Sequence, residues 1–192
     1  MPIEWGFSTA ATDGPLHVVL VCEGNICRSP LAEQLLRARL HEIGRAPETV
    51  ISSAGLRALE GAPMDSIPAE ISVLNGGDPG GKVGIRLVAA VAKEADLVLT
   101  MTQEQRDEVI QRYPRLMKRA FSLTEFAMLL DETPSDIPRT ALIDAAARSR
   151  GRIEWEPAHD IDDPFRQSRE VHEKVGQRIV EVTRQIAMGL SR

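Results

Sequence analysis

Apolar residues along this chain alternate between two spacings. Val18, Val19, Leu20 and Val21 form a continuous aliphatic run, the pattern of a strand buried on both faces. Leu31, Leu35, Leu36, Leu40 and Ile43 then recur at helical intervals, and Pro30 suits the first helical position, where a missing N–H costs nothing. Gly44 and Pro47 break that helix, and residues 50–55 read as a second strand ending in a turn. A third buried run covers 95–102, followed by a polar-faced helix over 103–113 with Val109 and Ile110 inward and Thr102 as its cap. Phe121, Leu123, Phe126 and Leu129 predict a fourth strand running into a short helix. Val171, Val175, Ile179, Val182 and Ile186 give a final helix one apolar face. Strands alternating with helices predict an α/β fold in three layers: a small parallel sheet of about four strands with helices on both faces.

Length and composition narrow this picture. At 192 residues the chain suits one domain, 16–192, after a tail at 1–15 that is rich in small and polar residues, although Trp5 and Phe7 could dock. Residues 131–159, with Pro134, Pro138 and Pro157 around a helical piece near 139–150, read as a surface insertion. A net charge of −5 argues against a general nucleic-acid surface, so any anion site must be local. No apolar run approaches a membrane span and no charged-then-apolar leader opens the sequence, so a cytoplasmic monomer is expected. Cys22 and Cys27 share one loop and offer no structural disulfide framework.

That loop carries the candidate chemistry. Val21-Cys22-Glu23-Gly24-Asn25-Ile26-Cys27-Arg28-Ser29-Pro30 joins the first strand to the first helix, with five residues between Cys22 and Arg28. Free N–H groups converge at such a turn and the helix dipole adds positive potential, so a doubly charged oxyanion is its natural occupant. A cysteine at a helix N-terminus beside a guanidinium favours its thiolate form. A guanidinium offers two parallel donors to two phosphate oxygens, which a lysine does not. Gly24 is expected to let the backbone turn its N–H groups inward.

The ten-residue string resembles the signature of the low-molecular-weight protein tyrosine phosphatases, over roughly residues 16–125 and 160–190. The resemblance implies Cys22 as nucleophile and Arg28 as phosphate clamp, inside a loop completed by Glu23, Gly24, Ile26 and Cys27. It makes Asn25 and Ser29 the loop-shaping hydrogen-bonders, with Ser29 steadying the thiolate. By itself Ser53 is a small residue at a strand end; the resemblance makes it the partner of Asn25. Leu59 is the candidate for an apolar rim where some members place a tryptophan. Family members carry a catalytic aspartate directly before a proline, which points to Asp163 as general acid and base, followed by Phe165 as a pocket wall. Some members have a His or Ser before a downstream arginine; here Gly84-Ile85-Arg86 stands there. The resemblance further implies that peroxide joins Cys22 and Cys27 reversibly.

Three other motifs compete for attention. Residues 76–82 match the letters of a nucleotide loop, but Val83 follows the lysine and no strand precedes it, so a turn between helices is the better reading. His159 with Asp160, Asp162 and Asp163 lacks metal-ligand spacing, and no metal or other cofactor is expected. Arg112, Arg115, Lys118 and Arg119 read as a solvated basic face. The expected activity is phosphomonoester hydrolysis, on a phosphotyrosine protein or aryl phosphate, without nucleic-acid or membrane partners. An arsenate reductase drawing on an external small thiol is one alternative; a thiol-relay version needs cysteines beyond Cys27, and the sequence has none. A non-catalytic phosphate-binding module is the other. Glu23, beside the nucleophile, is expected at the pocket rim, where a carboxylate would disfavour acidic flanks on a phosphopeptide.

Overall fold

The computed structural model describes residues 14–192, so Trp5, Phe7 and most of the expected tail lie outside the described residues. Strand β1 (Leu16–Cys22) is central, flanked by β2 (Thr49–Gly55) and β3 (Leu97–Thr100), with β4 (Ala120–Ser122) beyond β3. The order β2-β1-β3-β4 is parallel throughout, with Cys22 opposite Gly55 and Val21 opposite Thr100. Each strand is followed by helix: α1 (Arg28–Glu42) after β1, α2 (Ser66–Leu74) and α3 (Ala89–Glu94) after β2. Then come α4 (Gln103–Arg112) after β3, and α5 (Leu123–Asp131), α6 (Arg139–Ser149) and α7 (Arg169–Leu190) after β4.

Alternation along the strands builds two cores. Val18, Leu20, Leu97, Leu99 and Phe121 face the side covered by α1, α5 and α7, while Val19, Val21, Val98 and Ala120 face α3 and α4. Helix α7 inserts Val175, Ile179, Val182 and Ile186 into the larger core, the face its spacing predicted. Burial on both faces explains why the strand positions read as unbroken aliphatic runs.

Local details depart from the pattern. Helix α1 begins at Arg28, two residues before Pro30, whose absent N–H still falls within the first turn. The third strand is shorter than its apolar run, because Met101 and Thr102 leave the sheet to start α4, and Thr102 Oγ1 accepts from the Gln105 N–H at 3.2 Å. The insertion is more than a surface feature. Leu142, Ala145 and Ala146 of α6 are buried, Arg150 pairs with buried Glu125 at 2.8 Å, and its guanidinium lies 4.3 Å from the Phe121 ring centre.

Candidate active site

β1 ends at Cys22 where the strand order switches direction between β1 and β3, the place where open parallel sheets receive ligands. Beyond it the chain turns over the end of the sheet and enters α1 at Arg28. Cys27 occupies the N-cap position without a side-chain cap, so the first-turn N–H groups of α1 stay available to an anion. The loop is pressed against β2: a Cβ on Gly55 would come within 2.7 Å of the Glu23 carbonyl oxygen. The left-handed residue of the loop is Asn25, at φ 55°, and not Gly24, where a Cβ would meet only ordinary contacts. Asparagine tolerates that conformation better than most side chains.

Asn25 holds its place through three partners. Its Oδ1 accepts from the Ile85 N–H at 2.9 Å, and its Nδ2 donates to Ser29 Oγ at 2.9 Å and to Ser53 Oγ at 2.8 Å. A backbone N–H at Ile85 therefore provides the support that the sequence, lacking a His or Ser before Arg86, left open. Ser29 Oγ lies 2.9 Å from Cys22 Sγ, and the Asn25 N–H donates to the same sulfur at 3.3 Å. Cys22, Asn25, Ser29 and Ser53 are all buried.

Arg28 crosses under the pocket to the loop that precedes α7. Its Nη1 donates to the Ile161 carbonyl at 3.0 Å, its Nη2 meets Asp163 Oδ2 at 2.6 Å, and its buried Nε has no hydrogen-bond partner among the described residues. The Asp163 loop is anchored to the sheet end by the Ile161 N–H on the Met101 carbonyl at 2.9 Å. Asp160 Oδ1 accepts the Gln103 N–H at 2.8 Å at the start of α4. Burial raises the carboxyl of Asp160 above its ordinary range, against that hydrogen bond and the nearby Arg106. Asp163 Oδ1 takes the Phe165 N–H at 3.2 Å, which turns the aromatic ring towards the pocket mouth.

One pocket results, lined by the Cys22 loop, Arg28, Asp163 and the apolar side chains of Ile26, Leu59 and Phe165. Cys27 also lines it; burial, reinforced by Asp65, pushes its thiol up to about 12. Glu23 is at the rim as expected, but it is not a bare carboxylate: both of its oxygens accept from Arg57 Nη1, at 2.8 and 3.0 Å. Arg57 lines the pocket too and pairs with Glu108 through its other nitrogen at 3.0 Å. The expected bias against acidic flanks is therefore opposed by a guanidinium at the same rim.

A family model for low molecular weight phosphotyrosine protein phosphatase matches residues 17–139. The chain belongs to that family. A probable low molecular weight protein-tyrosine-phosphatase, EpsP of Ralstonia solanacearum, is 34% identical over 141 residues, 73% of this chain and 93% of that protein. The low molecular weight protein-tyrosine-phosphatase Etp of Escherichia coli K12 is 29% identical over 175 residues, 91% of this chain and 95% of Etp. Among solved structures, the Erwinia amylovora tyrosine phosphatase amsI superposes with a TM-score of 0.68 at 26% identity, covering 92% of this chain and 93% of amsI. A YwlE arginine phosphatase mutant has a TM-score of 0.72 at 22% identity, covering 92% and 97%, a likeness of fold alone.

The family pocket thus gathers every site residue singled out from the sequence, with Asn25, Ser29 and Ser53 beneath it. Sequence reasoning missed four contributors. Glu33 is buried on α1 and accepts from Ser53 Oγ at 2.6 Å; a charged residue between Leu31 and Leu35 was its only signal. Arg57 stood next to the rim candidate. Ile85 and Ile161 act through backbone atoms, for which residue type carries no signal. His159 Nδ1 accepts from the Glu156 N–H at 3.1 Å, and its ring meets Trp155 edge-on at 5.0 Å. Among the described residues no helix is long and apolar enough to cross a membrane.

Proposed function

We propose that this chain hydrolyses phosphomonoesters, with protein phosphotyrosine as its substrate class and Cys22, Arg28 and Asp163 carrying the reaction. The observation that carries this reading is the meeting of a buried sulfur, a fixed guanidinium and a half-exposed carboxylate in one pocket with an apolar wall. The names of the relatives support the same substrate. Ile26, Leu59 and Phe165 suit an aryl ring entering edge-first, with its phosphate reaching the loop.

In this reading the Cys22 thiolate attacks phosphorus in line, and the loop N–H groups with Arg28 hold the three equatorial oxygens. Ile161 keeps one guanidinium nitrogen fixed, so the fork offered to phosphate is Nε and Nη2. As the bond from phosphorus to the aryl oxygen breaks, Asp163 gives that oxygen its proton. Water then attacks the cysteinyl-phosphate, Asp163 takes the proton back, and phosphate leaves with the thiolate restored. No step calls for a metal or an organic cofactor.

Turnover of an aryl phosphate, measured beside thiol-dependent arsenate reduction on the purified protein, tests the reading. Phosphate release from the parent and none from Cys22→Ser, which keeps the N–H cradle and Arg28, is the expected result. Arsenate reduction without phosphatase activity would establish the rival enzyme, and oxyanion binding without either would leave a binding module.

A further inference from the structure

The lysine of the rejected nucleotide motif has an occupation of its own. Lys82 Nζ lies 2.5 Å from Glu33 Oε2, with only 13% and 5% of the two side chains exposed. Arg37 Nη2 meets the other oxygen, Oε1, at 2.6 Å and also donates to the Ile51 carbonyl. A carboxylate is acceptor-only, so the contact between Ser53 Oγ and Glu33 Oε2 uses the single hydroxyl hydrogen of Ser53. Ser53 must then accept from Asn25, whose second amide hydrogen goes to Ser29. The amide cannot turn over, because its oxygen holds the Ile85 N–H. Ser29 is left with one hydrogen to give and two acceptors, Cys22 Sγ at 2.9 Å and the Ala54 carbonyl at 3.5 Å. The nearer is the sulfur.

We propose that Lys82 is a positioning residue for the Cys22 nucleophile, acting through Glu33, Ser53, Asn25 and Ser29. This rests on the reading of Cys22 as the nucleophile. The ammonium sits on the same carboxylate oxygen that receives Ser53, and so fixes the far end of a connected network in which Asn25 donates to Ser53 on one side and to Ser29 on the other, and Ser29 faces the sulfur. The other charged and titratable groups that line the pocket with the sulfur, Glu23, Cys27 and Arg28 on its own loop and helix, Arg57 at the rim and Asp163 opposite, remain when Lys82 is replaced. The glycine-rich turn at 76–82 delivers the lysine, with its N–H on the Pro79 carbonyl at 3.1 Å. It forms one wall of an open groove beside α1, with Arg37, His41, Glu42 and Asp78 around its mouth.

The test reads the sulfur without requiring turnover. The rate of alkylation of Cys22 by iodoacetamide, followed by peptide mass spectrometry across pH, is compared in the parent, Lys82→Met and Lys82→Arg. Lys82→Met is expected to slow alkylation about three- to tenfold on the acid side, the weight of one ordinary hydrogen bond, with the curves converging at alkaline pH. Inhibition of aryl-phosphate turnover by inorganic phosphate is expected to stay within about twofold, since the cradle and Arg28 are untouched. Lys82→Arg is expected to recover most of the parental rate. A Lys82→Met profile that overlays the parent overturns the proposal, and so does a Lys82→Arg profile as slow as that of Lys82→Met, which would assign the effect to packing. A parent that alkylates readily but turns over no phosphate ester overturns the phosphatase reading instead, while the alkylation comparison still decides the role of Lys82.

Discussion

Replacing Asp163 by Asn is expected to move binding and chemistry in opposite directions. In the free protein the carboxylate lies 2.6 Å from Arg28 Nη2, one of the two nitrogens that a phosphate needs, while Nη1 is held by Ile161 and Nε meets no partner among the described residues. Phosphate must therefore displace Asp163 from the clamp. A charge-assisted bond of this kind is worth about 1.5–3 kcal/mol when buried. The Asp163 side chain is 46% exposed, so solvent screening reduces that to about 1 kcal/mol. Asparagine keeps the shape and loses the charge, and about 1 kcal/mol corresponds to roughly fivefold tighter inhibition by inorganic phosphate at neutral pH. The same change removes the proton donor, which is worth about 10²–10⁴ in kcat, most on esters with poor leaving groups. Steady-state kinetics on a series of aryl phosphates, with phosphate as competitive inhibitor, gives both numbers. Phosphate inhibition that stays the same or weakens would refute the displacement, and a kcat near the parental value would mean that another group is the acid.

Other outcomes are expected from the same geometry. Arg28→Lys is expected to lose most activity, because a point charge cannot hold two phosphate oxygens and the Ile161 carbonyl together; near-parental kcat/KM would remove Arg28 from its role. A Cβ at Gly84 would lie 2.4 Å from the Leu59 carbonyl oxygen, so Gly84→Ala is expected to lower both Tm and kcat/KM by disturbing the rim and the Ile85 support of Asn25, and an unchanged melt would count against that. Cys27 ionises at about 12 in the fold, pushed up from 9.0 chiefly by burial, so between those values the unfolded chain has given up a proton that the native state still holds. Stability is then lost as pH rises through that window, by up to about 1.4 kcal/mol per pH unit, and denaturant melts at pH 8 and 10.5 should show a smaller loss in Cys27→Ala; equal slopes would dismiss it. Peroxide is expected to oxidise Cys22 to the sulfenic acid, from which Cys27 displaces water to close a bridge that a dithiol reopens; mass spectrometry finding only sulfinic or sulfonic acid on Cys22 would refute the pairing.

The order of elements and the candidate reacting residues were legible in the sequence because each has a local cause. Buried parallel strands need unbroken aliphatic runs, and helices on one face of the sheet need apolar residues every three or four positions, so β1, α1 and α7 announced themselves. The Cys22 loop is contiguous, and its contents were readable as a string. Tertiary structure decided what depends on distant partners. Asp163 reaches Arg28 because Ile161 and Asp160 pin its loop to the end of β3 and the start of α4, contacts spanning 57 residues or more. Glu23 is paired with Arg57 from the next crossover, which no local pattern could supply. Lys82 and Glu33 meet only when the 76–82 turn folds back over α1, and Ile85 supports Asn25 with a backbone N–H that any residue would carry. Helix α6 reads as surface because its apolar positions are mostly alanines, which acquire a buried face only once α5 is there to cover them.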